Sequence, residues 1–149
     1  MKEGIHNYKY KLVIGGRGYF GEVCIQIVSS QMESTVTDKC DWNLLKETYP
    51  NFKPVGIYNL WKQSAIDAAN SIIRNYPIPK CINVIIHDVT GMILGSSPCS
   101  IGAATIIAIF DYCEIILDKS ALQELDFFVI KNEYFDIIPD FNLLIMSGR

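Results

Sequence analysis

The glycine-rich segment at residues 15–21, with the sequence GGRGYFG, constrains the fold of this chain more than any other feature. Gly16, Gly18 and Gly21 follow a predicted strand at residues 8–14 with the spacing G-x-G-x-x-G, which is half of the dinucleotide-binding fingerprint. The complete fingerprint requires a helix directly after the glycines, because the pyrophosphate binds at the N-terminus of that helix. The segment therefore predicts either a nucleotide-binding loop or a turn between two strands.

The residues after the glycines favour the turn. Val23, Ile25 and Ile27 alternate with less apolar residues, and this period of two predicts a strand with one buried face. The acidic residue that the fingerprint places about 20 positions further on is also poorly matched, since little apolar sequence precedes Asp38. We therefore expect a glycine turn that joins two strands, and an NAD(P)-binding Rossmann-type enzyme is the less favoured hypothesis.

Hydrophobic periodicity and turn residues predict the remaining elements. They are a weak strand at residues 34–40, a loop at 41–54, an amphipathic helix at 57–76, a strand at 82–88 buried on both faces, a largely buried helix from Ser97-Pro98 to about Leu117, and two short strands at 127–131 and 141–146. No repeat or linker-like stretch interrupts this series. We therefore expect a single domain over residues 1–149.

Composition and charge exclude several classes of protein. Half of the residues are hydrophobic and 19% are charged, which is typical of a packed globule. The net charge of −3 argues against a dedicated nucleic-acid binder, because such proteins concentrate many basic residues on one face. The charge is unevenly distributed, at +3 for residues 1–80 and −6 for residues 81–149, so local contact with RNA is compatible with the sequence.

Cysteine use and hydropathy predict a cytoplasmic protein. The five cysteines are odd in number and widely spaced, which fits free thiols in a reducing compartment. They form no C-x-x-C pair, so no structural zinc site is expected. The longest apolar runs, such as residues 106–110, are far shorter than the roughly 20 residues that a membrane span needs. We expect no membrane partner.

Residues 9–23 resemble a known family. The sequence KYK, followed by GGRGYFG and then EV, resembles the opening of the fourth domain of elongation factor G, a translational GTPase in which a GGRGxxG turn joins two strands. The resemblance extends over residues 9–117, through the helix at 57–76, the sequence YPI at 76–78 and the paired serines Ser96-Ser97 that open the second helix. Residues 118–149 are then a C-terminal extension.

The resemblance implies a specific α/β fold. It is an α+β two-layer sandwich, in which a four-stranded, mainly antiparallel sheet carries two helices on one face. The topology is a split β-α-β with one left-handed crossover, against the usual right-handed rule. This handedness is implied by the resemblance alone.

Departures from the family narrow the implied function. The chain has no G-x-x-x-x-G-K-[ST] motif, so the GTPase part of the family is missing. Met92 stands where the family has the tip histidine that approaches the decoding region of the ribosome, and Gly95 replaces the aspartate before the paired serines. The resemblance therefore implies a free-standing, non-catalytic binding domain without a cofactor, with the ribosome or RNA as its partner.

The sequence contains no recognisable catalytic constellation. His6 and His87 are the only histidines, and neither belongs to a catalytic or metal-binding motif. The neighbouring pair His87 and Asp88 resembles an acid–base or metal-binding pair, but packing at the end of a strand is the favoured interpretation. We therefore predict no catalytic and no metal-binding residue.

The best candidate surface is a tip formed by Arg17, Tyr19, Phe20, Thr90 and Met92. Arginine and aromatic side chains bind phosphates and stack on unpaired bases. The same residue types are enriched at protein-binding hot spots, and an exposed apolar run at residues 92–94 would favour a protein partner. A protein-interaction or self-associating module is therefore the alternative hypothesis to RNA binding, and folding of these apolar residues back onto the sheet is a third.

Overall fold

The computed structural model describes residues 3–51, 55–93 and 95–146. The strands are β1 (Ile5–Ile14), β2 (Arg17–Ser29), β3 (Thr35–Asp38) and β4 (Ile82–Thr90), and the helices are α1 (Asn43–Thr48), α2 (Val55–Asn75), α3 (Pro98–Tyr112) and α4 (Lys119–Lys131), followed by a 3₁₀ turn (Phe141–Leu143). The strands form one sheet in the order β1-β2-β4-β3, in which only β3 and β4 are parallel. The predicted α+β class with a four-stranded, mainly antiparallel sheet is confirmed.

The glycine segment is a β-hairpin turn. Ile14 and Arg17 are paired across β1 and β2, so Gly15 and Gly16 form a two-residue connection. Their φ angles are 58° and 77°, and positive φ at both positions is the signature of a type I′ turn, which matches the twist of the flanking strands. Because β2 continues to Ser29, no helix follows the glycines and the dinucleotide fingerprint is not formed.

The described residues share one apolar core between the sheet and the two long helices. The predicted period of two in β2 is confirmed, since Val23, Ile25 and Ile27 are all buried. Trp61 on α2 is buried, and so is almost every residue of α3, because α3 is covered by α2 and α4 as well as by the sheet. Each large apolar side chain buried there contributes roughly 1.5–3 kcal/mol to folding.

The predicted burial of β4 on both faces is wrong. Its inner residues are buried, but Asn83, Ile85 and His87 on the other face are only half-buried. The helices cover one face of the sheet, and the opposite face is left partly open to solvent. A register shift opposite Cys24 and Ile25 marks a bulge in the pairing of β2 with β4, in which His87 is the extra residue of β4. Beyond it the alternation of burial ends, since Asp88, Val89 and Thr90 are all buried.

The handedness of the β3–α2–β4 crossover stays a prediction. The structure confirms that β3 and β4 are neighbours in parallel register, with α2 between them in the chain. A crossover connection is required here because a short turn cannot join parallel strands.

The prediction of two strands in the C-terminal extension is wrong. Residues 127–131 belong to α4. Asp118 is the N-cap of this helix, and its carboxylate accepts the N–H of Ala121 at 2.8 Å. Ala121, Leu125 and Val129 are buried at helical spacing. Consecutive aromatic and β-branched residues had suggested a strand, but tertiary packing overrides that propensity. The predicted strand at 141–146 is a 3₁₀ turn followed by extended chain, and residues 147–149 lie outside the described part.

Two further element boundaries differ from the predictions. α3 ends at Tyr112, before the predicted Leu117, because the chain forms a Schellman motif in which Ile115 N–H donates to the Phe110 carbonyl and Glu114 has a φ of 57°. Glycine usually occupies that left-handed position, so the sequence carried no signal for it. The predicted loop at 41–54 contains the short helix α1, and residues 52–54 lie outside the described part.

Candidate functional site

A cleft of about 580 Å³ lies between the β1–β2 hairpin and the connection from β4 to α3. Three of the five residues of the predicted tip line this cleft, namely Tyr19, Phe20 and Met92. Lys9 and Lys11 of β1 also line it, and neither was predicted as a site residue. The hairpin and the β4–α3 connection are thus brought together.

Ser96 fixes the two walls of the cleft to each other. Its buried hydroxyl donates to the Phe20 carbonyl at 2.6 Å and accepts the N–H of Met92 at 2.7 Å. A Cβ at Gly91 would lie 2.7 Å from this oxygen, so only glycine fits beside it. The Ser96 hydroxyl therefore holds the backbone of Met92 in place, while Leu94 lies outside the described residues.

The described lining residues combine positive charge with apolar surface. Lys9 and Lys11 are exposed on β1, and the exposed side chains of Val13 and Met92 lie beside the half-buried ring of Phe20. No carboxylate lines the described part of the cleft. Such a cleft is suited to an anionic ligand that also presents flat or apolar groups.

Arg17 lies next to the cleft but is held by an intramolecular partner. Its Nη1 atom is 3.2 Å from Oε1 of Glu133, and its guanidinium lies over the Tyr19 ring, 5.6 Å from the centroid. The Arg17 side chain is still 58% exposed, so one face of the guanidinium is accessible. Glu133 follows α4 in the C-terminal extension and carried no signal in the sequence.

Tyr19 and Thr90 do not form an accessible binding surface, which corrects the predicted tip. The Tyr19 ring is buried and its hydroxyl donates to Oε2 of Glu133 at 2.7 Å, a bond that raises the pKa of Tyr19. Thr90 is buried where it pairs with Glu22 at the end of β4, and it does not line the cleft. Ile93 packs against the core, so Met92 is the exposed apolar residue among the described residues 91–93 of this loop.

His87 and Asp88 each have separate structural partners. The buried carboxylate of Asp88 accepts the N–H groups of Leu44 at 2.8 Å and Val89 at 2.9 Å, together with the hydroxyl of Tyr58. His87 bonds the side chain of Gln26 at 3.0 Å on the open face of the sheet. Across residues 3–51, 55–93 and 95–146, no three histidine, cysteine or acidic side chains are grouped closely enough to hold a metal ion.

Two tyrosines of β1 anchor the lysine-bearing strand to the helices. Tyr8 donates to Asp111 of α3 at 2.5 Å and Tyr10 donates to Asp126 of α4 at 2.6 Å. Burial and these carboxylates raise the pKa of both tyrosines. Because residues alternate along a strand, Lys9 and Lys11 face away from these bonds, toward the open side. The wall of the cleft is thus rigidly attached to the core.

Comparisons with known proteins assign no family to this chain. No protein-family model and no curated protein matches the sequence. Among solved structures, the chain is similar to a protein from Thermus thermophilus, with a TM-score of 0.43 and 16% sequence identity. The match covers 68% of this chain and 14% of that protein, so this chain spans only a small part of its length. Among the described helices, none is long and apolar enough to cross a bilayer.

Proposed function

We propose that this chain is a non-catalytic, cytoplasmic binding domain that takes single-stranded RNA in the cleft beside the hairpin, without a cofactor. One observation carries the proposal. The cleft combines two exposed ammonium groups with aromatic and apolar surface, and its described lining contains no carboxylate.

The chemistry of the lining matches that of an unpaired RNA strand. The Nζ groups of Lys9 and Lys11 bind phosphates, while the ring of Phe20 and the side chain of Met92 pack on a base. The accessible face of Arg17 extends the positive surface at the end of the hairpin. With so few cations the affinity is modest and falls with salt, in keeping with a net charge of −3.

The resemblance to the fourth domain of elongation factor G supports the ribosome as the source of the RNA. In that family the loop before the last helix approaches the decoding region, and the loop carrying Met92 occupies the corresponding place in this sequence. Methionine has no charge and no strong hydrogen-bond donor, so this loop contributes packing to the complex. The lysines of β1 then supply the charge that holds the strand.

Fluorescence anisotropy with a fluorescein-labelled oligouridylate tests the proposal. In the double variant Lys9→Ala/Lys11→Ala, two phosphate contacts are lost, so the slope of log affinity against log salt should flatten by about 1.4. The matched control is Lys39→Ala/Lys46→Ala, which removes equal charge after β3 and in α1, where neither lysine lines the cleft, and it should bind like the wild type. Equal loss in both variants, or no binding by the wild type at low salt, contradicts the proposal.

Co-sedimentation with ribosomes tests the source of the RNA. We expect the wild type to sediment with ribosomes at low salt and the Lys9→Ala/Lys11→Ala variant to stay in the supernatant. Arg17→Ala should have the smaller effect, because Glu133 already pairs with that guanidinium. Binding of the oligonucleotide without co-sedimentation would support the RNA site but would rule out the ribosome as the partner.

A further inference from the structure

A second apolar surface lies between α4 and the chain that follows the 3₁₀ turn. Phe127, Leu143 and Ile145 are 65%, 72% and 76% exposed there, around a shallow groove of about 220 Å³. The groove has a fixed floor, because Leu144 is buried and the ring of Phe128 packs on Phe141 with centroids 5.8 Å apart. Large apolar side chains clustered in this way mark an interaction surface.

Two opposite charges flank this groove. Glu124 and Lys131 both line it and are seven residues apart, which is about two turns of α4, so they lie on the same helix face. Phe127 lies almost midway between them. The face therefore has an acidic end, an aromatic centre and a basic end.

We propose that this groove binds a second copy of the chain, with the two α4 helices antiparallel across a two-fold axis beside Phe127. In that arrangement Glu124 of one copy faces Lys131 of the other, and the second pair forms by symmetry. Phe127 of each copy packs into the groove of the other, against Leu143 and Ile145. The reversed charge order makes the face complementary to itself, whereas a purely acidic or purely basic partner would match only one end.

The apolar contact supplies the affinity and the charges set the orientation. Exposed ion pairs contribute little free energy, but opposed like charges disfavour the wrong register. Dimerisation should therefore change little with salt, in contrast to RNA binding in the cleft. The dimer and the RNA site use different residues, so either one can fail without the other.

Light scattering coupled to size exclusion, over a range of concentrations of the full chain, tests the dimer. We expect the wild type to approach twice the molar mass of one chain. Phe127→Glu should raise the dimer dissociation constant by at least about 100-fold, since a central aromatic residue is lost on both sides of the axis. Ile116→Glu adds the same charge at a residue that is 86% exposed and should leave dimerisation unchanged.

Charge exchange tests the antiparallel orientation. Glu124→Lys and Lys131→Glu should each weaken the homodimer, because like charges then face each other. An equal mixture of these two variants should form a heterodimer, and the double variant should recover the wild-type affinity. Circular dichroism confirms that each variant is folded. The proposal is overturned if the wild type is monomeric at every concentration, or if the Phe127→Glu variant dimerises as well as the wild type. The antiparallel orientation is overturned if the mixture shows no preference for the heterodimer.

Discussion

Alanine substitution of the glycines in residues 15–21 separates three physical roles that share one sequence pattern. A Cβ at Gly21 would lie 2.5 Å from the backbone carbonyl carbon and oxygen of Ser100, in the first turn of α3. A Cβ at Gly18 meets no atom within 4 Å. Gly16 has open space around it but a φ of 77°, which disfavours any side chain. We therefore expect the three alanine substitutions to lower the free energy of unfolding by three different amounts.

The cost at Gly21 follows from the distances. Moving from 2.5 Å to an ordinary contact of 3.4 Å requires α3 and β2 to separate by about 0.9 Å. Both atoms belong to backbone, so rotation of a side chain cannot relieve the overlap. Overpacking of a core costs roughly 1–3 kcal/mol, and we expect Gly21→Ala to cost about 3 kcal/mol because neither backbone segment can move aside. Gly16→Ala should cost about 1–2 kcal/mol through its left-handed backbone, and Gly18→Ala less than about 0.5 kcal/mol.

Urea unfolding followed by tryptophan fluorescence measures these differences. With a loss of about 3 kcal/mol and an m value of about 2 kcal/mol per molar, the midpoint of Gly21→Ala should fall by about 1.5 M. Gly18→Ala is the matched control, since it makes the same chemical change in the same strand. Equal midpoints for the Gly18 and Gly21 variants would refute the close packing of α3 on β2.

Three further predictions concern side chains of the core and a helix cap. Tyr58→Phe removes the hydroxyl that donates to Asp88 and accepts the N–H of Trp42, so urea unfolding should show a loss of about 2–4 kcal/mol, and a loss below about 0.5 kcal/mol would refute this role. Burial raises the folded-state pKa of Tyr10 and Tyr58 above the unfolded value of about 10, so their contribution to stability is complete below about pH 10. The free energy of unfolding then falls by about 1.4 kcal/mol per tyrosine for each pH unit above that value, and equal stability at about pH 9 and 11 would contradict this. Asp118→Ala removes the N-cap of α4 and should cost about 1 kcal/mol in thermal melts monitored by circular dichroism, and an unchanged melting temperature would argue against the cap.

Local patterns in the sequence predicted the strands of the sheet and the two long helices. Alternation at Val23, Ile25 and Ile27 predicted β2, and Ser97 before Pro98 predicted the start of α3, where the Ser97 side chain accepts the N–H of Ser100. Predictions failed where the chain ends an element without its usual residue. Glu114 takes the left-handed position that glycine normally fills, so the end of α3 was not recognisable. In α4, aromatic residues with high strand propensity are helical because the buried face repeats every four residues.

The candidate site was predicted in part. The sequence indicated the hairpin and the Met92 loop, and the structure places Phe20 and Met92 in one cleft. Lys9 and Lys11 were not predicted as site residues, since two lysines in an alternating strand are typical of any solvent-facing side. Tyr19 was predicted as accessible because tyrosine is common at binding surfaces, but its partner Glu133 is more than a hundred residues away in the chain.

The amino-acid sequence by itself determined the turn at Gly15 and Gly16, because positive φ and the alternation that follows are local properties of the chain. Hydrophobic period and turn residues act over a few positions, and they also determined individual strands and the two long helices. The class of the sheet was implied by the family resemblance. Only the tertiary structure decided what Gly21 and Arg17 do. Gly21 lies under α3, and Arg17 pairs with Glu133, and both contacts join segments about 80 residues or more apart in the chain. Such contacts depend on how the helices pack on the sheet, which no local pattern encodes.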